Sequence, residues 1–137
     1  MHMLKLAFPV CAALALSAFG APTPSAPRDP CKVLTAAQFG KIMGYEATIN
    51  KTASTGLSCF YTGPGEEGGQ FMILTEAADE SRAEAMTKPR KGSTPPAGSG
   101  LVGGMFSQGS VVFSVSIRSN DQAKLQALVA EIKRGLK

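Results

Sequence analysis

Apolar and polar residues change period several times along this chain, and each change marks an element. Phe39, Ile42 and Met43 recur at helical spacing behind Leu34, Thr35 and Gln38. Thr35 caps such a helix, Gln38 reaches back to it, and Leu34 staples against Phe39. A first helix over 36–43 follows, with Gly44 as its stop. Tyr45, Ala47 and Ile49 then alternate with Glu46, Thr48 and Asn50, the period of a half-buried strand. After a polar loop over 52–56, residues 57–62 and 70–75 are β-rich and flank a Gly/Pro/Glu stretch at 63–69, which predicts a hairpin. Asp79 caps a short charged helix over 80–87, ended by Pro89.

Residues 88–100 hold Pro, Gly, Ser and Thr without apolar periodicity and read as an irregular connection. Residues 101–107 and 110–118 form a second hairpin turning at Gln108 and Gly109. In its second strand Val111, Phe113, Val115 and Ile117 point one way, and Ser114, Ser116 and Arg118 the other, predicting one core face and one largely wet face. A last helix starts near Asn120 or Asp121, with Ser119 and Gln122 placed for a second capping box. It carries Leu125, Leu128, Val129, Ile132 and Leu136 at helical spacing, with Gly135 marking its end. The order α-β-β-β-α-β-β-α is best satisfied by an α+β fold: an antiparallel sheet of about five strands with helices mainly on one face.

The amino-terminal pattern belongs to none of these elements. Lys5, an apolar run over 6–16 and the small residues before Ala21 have the layout of a secretory signal peptide occupying 1–20. The run is shorter than the roughly 20 residues of a spanning helix, contains Pro9 and leads into a Pro-rich stretch over 21–30. Retention as a membrane anchor is the alternative. Cleavage after Gly20 leaves a single domain over 31–137, with no stable membrane span.

Cleavage also changes the available chemistry. His2, the one histidine of the 137-residue chain, leaves with the leader, as do Lys5 and Cys11. Thirteen basic and ten acidic side chains remain, a formal charge of +3, too mild for a dedicated nucleic-acid binder. Cys31 and Cys59 are the remaining cysteines, and in an oxidising compartment they read as one disulfide. A redox or metal-binding pair is the alternative, but there is no Cys-x-x-Cys spacing and no histidine partner. Without histidine, free thiol or nucleophile-elbow motif, enzyme activity is not the expectation, although composition leaves serine with lysine and paired carboxylates open. No metal and no cofactor is expected.

Three further patterns have bland readings. The run Gly63, Pro64, Gly65, Glu66, Glu67, Gly68 fits a dinucleotide fingerprint in spacing, but it leads into a strand and Glu66 and Glu67 would repel phosphate, so it reads as a turn. Glu76, Asp79, Glu80 and Glu84 are spread along a short helix with Arg82 among them, a solvated face rather than a calcium loop. Lys88, Arg90 and Lys91 form a small basic segment, read as a solvated linker with contact to an anionic surface as the alternative.

The strand over 70–75 is apolar on both sides, since Met72 and Leu74 alternate with Phe71 and Ile73. Phe60, Met72, Leu74 and Val112 are assigned here to the sheet face left uncovered by the terminal helices. That surface is a groove for an apolar ligand or partner unless the second helix or the 88–100 segment lies over it.

Cys31, Val33, Leu34, Thr35, Phe39, Met43 and Gly44, followed by Cys59 and Tyr61, resemble the opening of small bacterial secreted or lipoprotein domains of unknown function. Gly100, Leu101, Gly103 and Phe106, then Gly109, a Val-rich strand and a Leu-rich last helix, resemble their second half. The resemblance spans nearly all of 29–136 and implies an extracytoplasmic α+β domain with a disulfide, without an established activity. Two features depart from the pattern: the lipid-attachment cysteine of many relatives is missing, and an acidic position after the Gly-rich start of the second half is Gly or Met. The expectation is a monomeric, non-enzymatic periplasmic or secreted binding or accessory domain of the cell envelope with an unknown ligand or protein partner. The alternative is a secreted hydrolase inhibitor acting through the 63–69 hairpin tip.

Overall fold

The computed structural model describes residues 28–65, 69–89, 95 and 98–137. The leader and most of the Pro-rich stretch lie outside these residues, as do Arg90 and Lys91. The described chain runs through α1 (Pro30–Val33), α2 (Ala36–Met43), β1 (Thr48–Ile49), β2 (Ser58–Thr62), β3 (Phe71–Glu76), α3 (Glu80–Met86), β4 (Val102–Gln108), β5 (Val111–Ile117) and α4 (Gln122–Leu136). The strands form one antiparallel five-stranded sheet in the order β1-β2-β3-β5-β4, so the fold is α+β as the periodicity predicts.

The helix α1 is additional to the predicted order. Asp29 accepts the Cys31 N–H and Pro30 occupies the first turn, where its missing N–H costs nothing. Four residues are too few to show a helical period, so the turn is invisible to a pattern reading. It also draws 28–30 into the folded unit: Pro30 is buried, and Arg28 donates to the Leu136 carbonyl at 2.5 Å.

The start of α2 is as predicted. Thr35 Oγ1 accepts the Gln38 N–H, and Gln38 Oε1 accepts the Thr35 N–H at 2.8 Å, a reciprocal cap. Gly44 ends the helix at φ 87°, a left-handed conformation that glycine adopts without strain. Tyr45 still donates its N–H to the Gly40 carbonyl, so the chain leaves the helix late and only Thr48 and Ile49 reach β2. The predicted alternation over 45–50 survives in burial, with Tyr45, Ala47 and Ile49 turned inward, but most of it is not strand.

Two other boundaries differ from expectation. Asp121, not Ser119, caps α4 by accepting the Ala123 N–H, while Ser119 accepts the Asp121 N–H one step earlier; Gln122 is then the first helical residue and makes no capping box. The helix runs through Gly135 to Leu136. The second hairpin turns on Gly109 and Ser110, with Gly109 at φ 59°.

One hydrophobic core fills the space between the sheet and α1, α2 and α4. Leu34, Phe39 and Met43 meet Cys59, Tyr61, Met72, Leu74, Phe113, Val115 and Ile117, and α4 contributes Leu125, Leu128, Val129, Ile132 and Leu136. The Cys31–Cys59 disulfide, with 5.2 Å between Cα atoms, ties α1 to β2 inside this core. Gln38 Nε2 donates to Glu131 and Lys124 Nζ to the Met43 carbonyl, holding α2 along α4. Among the described helices α3 alone lies on the opposite side of the sheet, over β4 and β5, with Ala83 fully buried.

Candidate functional site

Strand register decides which side chains share a face. Cys59 pairs with Met72 and Met72 with Val115; Leu74 pairs with Phe113. Directly paired residues in an antiparallel sheet point to the same side, so Met72 and Leu74 belong to the core face. They are 0% and 5% exposed beneath the helices. Assigning them to an uncovered face with Phe60 and Val112 is therefore wrong. The opposite face is built in rows: Phe60, Phe71, Ser116 and Gly103; then Ser58, Ile73, Ser114 and Met105; then Thr75, Val112 and Ser107.

That second face is not wet throughout. Val112 is 1% exposed because α3 lies over its half of the sheet, and Ser116 is buried with its hydroxyl donating to the Gly69 carbonyl at 2.8 Å. At the β2–β3 half the cover thins. Phe60, Phe71 and Ile73 are only part-buried, and the rings of Phe60 and Phe71 lean on each other with centroids 5.5 Å apart. Met105, on the far side of the same face, is exposed. The resulting strip is apolar, open on one side, and held on strands rather than on loops.

Phe71 and Ile73 are the strip residues that the sequence reading placed on the wrong side. A usable signal lay in Cys59: its bond to the segment before α2 turns it inward, so its neighbour Phe60 points outward. The parity of β3 depends on the length of its turn, and a seven-residue Gly-rich stretch leaves that length undetermined.

At the other end of the sheet Leu57, Leu74, Thr75, Glu76 and Val111 line a small open hollow, bounded by Arg28. Leu57 is 58% exposed on its rim. Above the hairpin mouth, Gln70 is buried and fully engaged: its Oε1 accepts from Tyr45 Oη at 2.9 Å and its Nε2 donates to the Tyr61 carbonyl. Tyr61 stacks on Phe39 at 4.3 Å and donates its hydroxyl to the Leu34 carbonyl at 2.5 Å. Burial, reinforced by the nearby Asp29 carboxylate, raises the Tyr61 phenol well above its ordinary value. These groups cross-brace the core; each polar atom already has its partner.

The remaining sequence candidates do not converge. Lys88 is exposed at the end of α3, and its neighbours Arg90 and Lys91 lie outside the described residues. Of the 63–69 turn, Gly63 is buried against the Tyr45 ring and Pro64 and Gly65 are exposed, while Glu66, Glu67 and Gly68 are outside the described residues. Among the described residues no group of three or more His, Cys, Asp or Glu is placed to hold a metal ion, and no helix is long and apolar enough to cross a membrane. No family model and no curated protein matches this chain in sequence comparison.

Proposed function

We propose that this chain is an extracytoplasmic, non-enzymatic binding domain of the cell envelope, and that it engages its partner through the Phe60–Phe71–Ile73 strip. The observation that carries the reading is the part-exposed pair of phenylalanine rings on a strand face that α3 leaves open. A rigid apolar strip on a sheet offers contact area at little cost in conformational entropy. The compartment rests on the leader pattern, on the likeness of the Cys31–Gly44 and Gly100–Phe106 regions to secreted bacterial domains, and on the disulfide, a bond that persists in oxidising surroundings. The non-enzymatic part rests on chemistry: processing removes the histidine, and both remaining thiols are consumed in the bridge.

The test places a photo-crosslinking residue at Phe71 in one variant and at exposed Lys41 on α2 in another, both exported in cells and irradiated there. The proposal expects one adduct of defined mass at position 71 and none at 41, weakened by Phe60→Ser. Identical adduct patterns at the two positions would contradict it. Stoichiometric inhibition of a hydrolase that survives Phe60→Ser but is lost on changing Pro64 would favour the hairpin-tip inhibitor instead.

A further inference from the structure

The β4 strand ends the sheet, and its sequence lacks the devices that normally keep an edge from pairing. Val102–Gln108 contains no charged residue and no proline, and its register against β5 runs from Val102↔Ile117 to Gln108↔Val111 without a bulge. The opposite edge, β1, is two residues long and offers no comparable template. The direction of β4's backbone groups follows from its neighbours. Ala77 donates its N–H to the Ser110 carbonyl at 2.8 Å, so the even-numbered residues of β5 bond towards β3 and the odd-numbered ones towards β4. Val102, Gly104, Phe106 and Gln108 therefore bond inward, and Gly103, Met105 and Ser107 direct their N–H and C=O groups away from the sheet.

We propose that this edge pairs with β4 of a second copy of the chain, antiparallel about a two-fold axis at Met105, joining two five-stranded sheets into one. Met105 is the midpoint of β4, so a two-fold axis there sets Gly103 opposite Ser107 of the second copy and Met105 opposite itself. All three outward-directed residues then exchange hydrogen bonds in register. The side chains fit the same axis. Met105, one of two exposed large hydrophobic residues among those described, meets its own copy, and Phe106 lies opposite Gly104, which has no side chain to displace it. No like charges meet, because the strand has none. One strand pair buries less than the roughly 1,200–2,000 Å² of stable complexes, so the dimer forms with rising concentration rather than at all concentrations. The inference departs from the monomer expected above and stands apart from the Phe60–Phe71 strip.

The test combines sedimentation velocity with amide hydrogen exchange on the processed chain, from low to high micromolar concentration. The mass should rise from one copy towards two. The amides of Gly103, Met105 and Ser107 should gain protection over the same range, while those of Gly104 and Phe106 stay protected throughout. Met105→Lys, which sets two ammonium groups against each other on the axis, should hold the chain at one copy with an unchanged circular dichroism spectrum; Met105→Leu should still associate. A wild-type mass of one copy across the range would overturn the proposal. So would a dimer that Met105→Lys leaves intact, or one that leaves the three outward amides unprotected.

Discussion

Gly135 lies inside α4, where glycine costs about 1 kcal/mol relative to alanine. Its position explains the cost. A Cβ there would stand 2.7 Å from the Val33 carbonyl oxygen, so the bare backbone lets α4 press against the end of α1. Gly135→Ala is accordingly expected to lower stability, by on the order of 1 kcal/mol net of the propensity gain; a higher urea midpoint than wild type would show that the close approach is not needed. Tyr61 makes a second residue-scale prediction. Its phenol is held protonated by burial in the folded chain, whereas the unfolded chain ionises it near pH 10. Above that pH the unfolded state binds fewer protons, so the stabilisation present below pH 10 is lost as pH rises. Tyr61→Phe should lower stability at neutral pH by roughly 1–3 kcal/mol, because the Leu34 carbonyl loses its donor. It should also flatten the decline above pH 10. Tyr45 is retained in both proteins, so parallel denaturant titrations isolate the Tyr61 contribution.

At the scale of elements, the disulfide and the α2 cap carry measurable shares. Closing the 28-residue separation between Cys31 and Cys59 restricts the unfolded chain by roughly 3–4 kcal/mol in the chain-entropy picture. Replacing both cysteines by serine should cost that order of stability in equilibrium unfolding, and a loss below about 1 kcal/mol would mean that α1 is held by packing alone. The ends of α2 were legible in advance because Thr35, Gln38 and Gly44 are local signals whose physics is complete within one turn. The two hairpins were legible for the same reason: alternation and turn residues are short-range. Single-turn α1, the truncation of β1 and the cap of α4 were not: four residues show no helical period, Tyr45 keeps its N–H on the Gly40 carbonyl and so shortens β1, and Ser119 and Asp121 both offer an acceptor at the start of α4. The side on which Met72 and Leu74 fall also escaped, because alternation gives two faces and only the register says which is which.

For the whole molecule, unequal cover of the sheet is the main result. Among the described residues, three helices and a disulfide close one face, and one seven-residue helix shelters the β4–β5 half of the other. Phe60 and Phe71 are accordingly only part-buried, unlike the residues of the core face. Substituting Phe60 by serine should cost less stability than substituting Phe113, which is wholly buried; truncating a fully buried phenylalanine costs about 3–5 kcal/mol. Calorimetry of the two variants decides whether the strip is surface or core. Crosslinking from position 71 in exporting cells addresses recognition itself. Recognition through the strip should give a single defined adduct that Phe60→Ser weakens and that position 41 does not form; the same products from both positions would contradict it.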